Sequence, residues 1–190
     1  MKPTLEPGDT IFVAKWPFGL KIPGTETSLT QGRIPVRGEV VIYSPAHDPK
    51  RQYIKRVIGL PGDSIAIKNA RLILNGKPLV VDASKNSLCG KEYLPEGPSY
   101  LVCWEPPLME DRVPLIVPQG SVFLIGDYRS QPAQTLRKAR AATPWSVVPI
   151  TALDGKALWI WLSVEPNLSP QSGTTSFPQF RFERFFRRIE

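Results

Sequence analysis

Histidine is almost missing: the chain of 190 residues has one, His47, in the loop Pro45-Ala-His-Asp-Pro49. A zinc centre built on imidazoles is therefore not expected, and no metal is. A Ser-His-Asp triad would need that turn residue as its base, so a hydrolase of this sequence should use a base other than histidine. Cysteine is nearly as scarce. Cys89 and Cys103 either close a small loop in an oxidising compartment or remain two buried thiols. Long apolar runs are absent as well. Stretches such as Ala157 to Val164 are too short to cross a bilayer, and Met1 opens directly on Lys-Pro-Thr-Leu with no leader-like pattern. Repeats and low-complexity tracts are lacking. The 21 prolines are scattered, which works against long helices and favours many short strands and turns.

What is present is an ordinary globular balance, 42% hydrophobic and 22% charged, enough for a core in one domain. Net charge is +7, from 24 basic and 17 acidic residues. Nucleic acid or an anionic membrane surface would each suit that sign. The basic residues are dispersed, however, except for Arg181, Arg184, Arg187 and Arg188. A nucleic-acid face needs aromatics interleaved with cations on one sheet, and only the C-terminal Phe/Arg segment approaches this, so no nucleic-acid partner is expected.

The pattern predicts a mainly β chain. Strands are expected at Thr10–Ala14, Glu39–Tyr43, Tyr53–Ile58, Ser64–Lys68, Ser121–Ile125 and Ala157–Leu162. Arg71–Leu74 and Lys77–Val81 flank Asn75-Gly76, whose positive φ angles suit a hairpin turn. Residues 82–118 form a proline-rich excursion that holds both cysteines. Residues 16–36 read as loop, with Trp16, Phe18, Leu20 and Ile22 as an exposed or half-buried apolar edge. A helix is expected only over the last ten residues, where Phe182, Phe185, Phe186 and Ile189 recur at helical spacing.

The strand Tyr53–Ile58 poses a problem. Side chains alternate between faces, so Tyr53, Lys55 and Val57 share one face and Ile54, Arg56 and Ile58 the other. Whichever face meets the core, a cation sits among apolar neighbours. Either the two stems reach out to water, or the lysine is buried and its ammonium is disfavoured, leaving a neutral amine able to act as a base.

Three separated stretches resemble one family, the type I signal peptidases. Met1-Lys-Pro-Thr-Leu-Glu-Pro-Gly-Asp9 with Val13-Ala-Lys15 resembles the segment that follows that family's nucleophile. Arg37-Gly-Glu-Val-Val41 with Tyr53-Ile-Lys-Arg-Val-Ile-Gly-Leu-Pro-Gly-Asp63 is similar to its lysine block, and Phe123-Leu-Ile-Gly-Asp-Tyr-Arg129 to the start of its Gly-Asp-x-Arg block. Order and spacing agree from Met1 to about Ser163.

The resemblance implies one catalytic domain over 1–190, with the insertion at about 82–118, in the antiparallel β-fold shared with SOS-type repressors. It implies a membrane-associated serine endopeptidase that removes signal peptides from exported preproteins, without a cofactor, on the outer face of the cell membrane. Lys55 would be the general base. Met1, Pro3, Gln52, Tyr53 and Ile54 would contact substrate, and the aromatic edge at Trp16 would meet the membrane surface. Arg56 would form a structural ion pair, with Gly126, Asp127, Arg129 and Ser130 around the lysine. In that family the nucleophilic serine immediately precedes the methionine that is residue 1 here. The serine and an anchor of about 20 apolar residues are thus expected upstream, and the chain as written should lack Ser-Lys activity. The position of a serine that would bond the lysine holds Pro132, Gln134 stands for an aspartate, and Ser130 or Thr135 would have to substitute. The alternatives are a catalytically inactive homologue that binds exported peptides and a conjugation-type maturation protease.

Overall fold

The computed structural model describes residues 1–20, 29–45, 48–84, 87–130, 144–165 and 179–189. The predicted strands appear as β1 (Asp9–Ala14), β2 (Val40–Tyr43), β3 (Tyr53–Gly59), β4 (Ser64–Lys68) and β5 (Arg71–Leu74). After the Asn75-Gly76 turn, with both residues at positive φ, come β6 (Lys77–Pro78) and β7 (Val80–Asp82). Then follow β8 (Cys89–Tyr93), β9 (Ser99–Cys103), β10 (Arg112–Ile116), β11 (Ser121–Ile125), β12 (Trp145–Pro149), β13 (Leu153–Ser163) and β14 (Arg187–Arg188).

The large sheet runs β1-β13-β2-β3-β11-β12, all antiparallel, and β14 adds to β13. A four-stranded sheet, β10-β4-β5-β6, and a three-stranded one, β7-β8-β9, complete the molecule. Strand β13 spans 11 residues and serves β1 along one edge. Its other edge is divided between β2 and β14.

Apolar alternation builds three cores. One lies between Ile58, Phe123 and Ile125 of the large sheet and Ile65, Ile67, Leu72 and Val102 of the smaller ones. A second covers the other face of the same strands, with Val41, Tyr43, Val57, Leu124 and Leu153. A third joins Leu5, Val40, Ile42, Ala157, Ile160 and Ile189, with Met1 and Ile54 packed against it. Strand β3 runs between these cores, and every residue from Lys55 to Gly59 is buried.

Two features differ from expectation. The excursion holds strands that were not foreseen: β8, β9 and β10 lie inside residues 82–118, with Gly90 and Glu92, then Tyr100 and Val102, buried at alternate positions despite the surrounding prolines. The C-terminal helix does not form. Phe182–Arg184 makes one 3-10 turn, Phe186 adopts a left-handed backbone (φ 56°), and the chain then pairs with β13. Strand pairing and ion pairs override the helical spacing. Arg184 Nη2 meets Asp9 Oδ2 at 2.5 Å and Arg181 Nη1 meets Glu6 Oε2 at 2.9 Å. No helix among the described residues is long and apolar enough to cross a membrane.

Candidate active site

Register brings the site together. Tyr43 stands across from Tyr53, Val41 from Lys55, and Val40 from Arg56. On the other side Leu124 stands across from both Val57 and Ser146. Paired residues share a face, so Lys55, Tyr43, Tyr53 and Ser146 project together into the apolar surroundings of Val41, Val57 and Leu124.

Lys55 is 7% exposed, and burial pushes its ammonium down from 10.5 to about 7. Its Nζ donates to Ser146 Oγ at 2.9 Å, and that hydroxyl shares a further 2.9 Å hydrogen bond with Tyr43 Oη. Burial raises the Tyr43 phenol, so at neutral pH it stays protonated and available to Ser146. This is an amine poised to exchange a proton near neutrality, held by a hydroxyl pair.

On the opposite face Arg56 is fully buried and does not compete. Its Nε and Nη2 grip Asp127 at 2.8 and 2.7 Å, and Nη1 donates to Gly38 C=O at 2.8 Å. Gly38 holds φ 92° in the turn before β2, and a side chain there would strike the Pro98 ring. Arg56 Nη2 also reaches Thr4 Oγ1 at 3.3 Å, while that hydroxyl donates to Asp127 Oδ2. The start of the chain is thereby fastened to the ion pair. The guanidinium stacks 4.0 Å over the ring of Tyr100. Tyr100, whose phenol burial raises well above its ordinary value, donates to Glu92, and Arg129 Nη2 pairs with Glu92 Oε2 at 2.6 Å.

The disulfide Cys89–Cys103 links β8 to β9. Cys103 N–H donates to Asp127 C=O at 3.0 Å, and Arg129 N–H to Cys103 C=O at 2.7 Å. The cross-linked hairpin therefore clamps the segment that holds Arg56. Replacing both cysteines by alanine is expected to lower unfolding stability by about 3 kcal/mol, the loop-closure value for a separation of 14 residues. Chemical denaturation of the two forms checks this, and equal midpoints would contradict it.

The other expected site residues are placed as follows. Tyr53 is half-buried and stacks on Tyr43 with ring centroids 5.7 Å apart, and its buried hydroxyl has no partner among the described residues. Ile54 faces the other way, against the core that includes Met1. Gln52 is exposed, with Nε2 3.5 Å from Asp154 Oδ2. Pro3 lines a cleft with Thr4 on the side of Tyr100. Gly126 accepts from Arg129 Nε at 2.9 Å through its carbonyl. Of the expected substrate contacts, Gln52, Tyr53 and Ile54 thus lie together at the start of β3, with Tyr53 and Ile54 on opposite faces. Ser130 bridges to Leu108, and its Oγ accepts Glu105 N–H at 2.8 Å, where the pairing with Cys103 carries the chain toward the excursion. Pro132, Gln134, Thr135, His47 and Ile22 lie outside the described residues.

Sequence reasoning missed Ser146. Its signal was a hydroxyl inside the strand WSVVP, but only the β11–β12 register shows that it meets Lys55. Of the apolar edge, Phe18 is core, whereas Trp16 and Leu20 are exposed. No group of three or more metal-ligating side chains occurs among the described residues.

The family model for signal peptidase, peptidase S26, matches residues 1–162. Signal peptidase I of Pseudomonas fluorescens is 32% identical over 185 residues, covering 89% of this chain and 64% of that protein. That of Pseudomonas aeruginosa is 31% identical over 187 residues, with the same coverages of 89% and 64%. That of Rickettsia canadensis is 30% identical over 189 residues, covering 87% of this chain and 69% of the relative. The chain spans about 64% of the length of the two Pseudomonas relatives.

Proposed function

The chain belongs to the signal peptidase family, peptidase S26, and from that premise we propose that it forms the catalytic domain of a serine endopeptidase that removes signal peptides from exported preproteins. Lys55 is the general base. The observation that carries this is the buried amine brought to about 7 and held by Ser146.

The nucleophile is a serine immediately before Met1. In support, the segment that would follow it is fastened through Thr4 to the Arg56–Asp127 pair, one residue along the strand from Lys55. Neutral Lys55 keeps one N–H on Ser146 and turns its lone pair toward the serine hydroxyl. It takes that proton as the serine oxygen bonds to the scissile carbonyl carbon, and returns it to the departing amine. Water then repeats the exchange on the acyl-enzyme.

The substrate adds as a strand. Among the described residues β11 pairs with β3 at Arg56, Val57 and Gly59, and this pairing does not extend to Tyr53 and Ile54. An extended peptide satisfies such an edge, with its alternate side chains set against Tyr53.

A membrane surface is the working environment. Phe12, Trp159, Trp161 and Trp16 are all exposed, and the first two rings lie 6.0 Å apart. Aromatic side chains favour the bilayer interface. The disulfide suits an oxidising compartment, hence the outer face.

The test is a form with serine placed before Met1, compared with alanine there, on a precursor peptide with small residues at the first and third positions before the cut. Turnover is expected with serine only. A folded serine form that binds the peptide without cutting it would turn the reading to an inactive peptide-binding homologue. Equal turnover by both forms would remove the dyad.

A further inference from the structure

A cleft of about 240 Å³ lies between β14, the β8–β9 hairpin and the stretch at Pro3 and Thr4. Lys91, Arg187 and Arg188 line it with Pro3, Ser99 and the already engaged Thr4 and Tyr100, and among the described residues no carboxylate does. Lys91 approaches the ring of Tyr93 at 5.7 Å, and neither it nor Arg187 joins an ion pair among the described residues. Among the described residues the nearby acids are occupied or outside. Glu92 turns inward to Arg129 and Tyr100, and Asp82, across from Lys91 in the register, does not line the cleft.

Like charges gathered around so small a volume repel one another well within the screening length of physiological salt. An anion between them relieves that repulsion, and a guanidinium fork beside the Ser99 hydroxyl suits an oxyanion. The volume admits a phosphate group rather than a large metabolite. Beside the cleft the left-handed turn at Phe186 leaves that ring 74% exposed next to Arg187, and Phe182 is 71% exposed. Exposed aromatics adjoining cations favour a surface that carries anionic headgroups. Arg187, Arg188 and Phe186 lie beyond residue 162, outside the part of the chain that the family model matches.

We propose that this cleft binds a phosphate-type oxyanion, supplied by an anionic phospholipid headgroup or by phosphate in solution. The inference stands on the cleft's own residues and does not depend on peptidase activity.

Two paired variants of the chain test it. Lys91→Glu with Arg187→Glu changes the cleft. Lys68→Glu with Lys77→Glu makes the same change of net charge on exposed residues of the four-stranded sheet. Co-sedimentation is measured with phosphatidylcholine vesicles and with vesicles also containing phosphatidylglycerol. Inorganic phosphate is titrated separately while the Ser99 and Leu101 amide resonances are followed. The cleft pair is expected to weaken binding to anionic vesicles at least about ten-fold, with a much smaller loss for the other pair. Saturable shifts with phosphate that vanish in the cleft pair, without vesicle selectivity, would assign the source to soluble phosphate and uphold the site. Equal losses in the two pairs would reduce the effect to net charge and overturn it. So would the absence of both vesicle selectivity and phosphate saturation.

Discussion

Asp127→Ala is expected to cost about 3–5 kcal/mol of folding stability, the range for removing one partner of a buried ion pair. Both partners are fully buried, and Asp127 takes two of the guanidinium's hydrogen bonds. Without it Arg56 keeps Gly38 C=O and Thr4 Oγ1 as acceptors, an incomplete shell for a charge with no water around it. The loss also reaches the chain start, since Thr4 donates to the same carboxylate. The double replacement Arg56→Met with Asp127→Leu removes both charges and should destabilise much less than Asp127→Ala, because no buried charge is left unpaired. Denaturant unfolding of the two single variants and the double one gives the coupling between them. A cost below about 1 kcal/mol for Asp127→Ala would place this pair with weak surface bridges.

Much of this arrangement could be read before the fold was known. Alternation with period two showed that Lys55 and Arg56 must face opposite ways and that one of them sits among apolar neighbours, while burial or escape of the stems to water stayed open. The structure divides their roles: the lysine's charge is penalised by burial, while the arginine's charge is matched by Asp127. The Asn75-Gly76 hairpin was legible because its turn needs particular residues. Ser146 was not, because its meeting with Lys55 depends on β12 returning beside β11, a contact across 91 positions of sequence. The C-terminal segment misled for a similar reason. Its phenylalanines keep helical spacing, yet Arg181 and Arg184 are held by Glu6 and Asp9, and Ile189 N–H bonds Leu158 C=O at 2.9 Å. Local period carries no information about partners at the other end of the chain. Within the excursion, the prolines hid the strands: β8 and β9 lie between them, and Pro114 sits inside β10.

Lys55→Met, in the form with serine before Met1, is expected to lower kcat/KM by about a thousand-fold or more, the upper part of the range for general-base catalysis. Lys55→Arg should be equally inactive, since a guanidinium does not release its proton. In the unsubstituted form kcat/KM should rise through an apparent pKa near 7, where burial brings the amine, and that step should vanish with the lysine. Stability carries the cost of the same burial. The folded value, about 7, lies below the unfolded 10.5, so between these pH values the unfolded chain binds more protons and stability rises with pH. Below pH 7 the buried ammonium carries its full cost, and above 10.5 both states are neutral and the cost is gone. Lys55→Met should therefore stabilise the fold by a few kcal/mol at pH 6, since each tenfold loss of proton affinity on folding is worth about 1.4 kcal/mol. The gain should shrink steadily between pH 7 and 10.5. Unfolding curves of both forms across that interval decide the matter. A gain independent of pH would mean that Lys55 is solvated as an ordinary lysine, and an active Lys55→Arg protein would end its assignment as the base. A site that weakens its own fold to hold an uncharged amine near neutrality needs a use for that amine, and proton transfer is the use its chemistry allows.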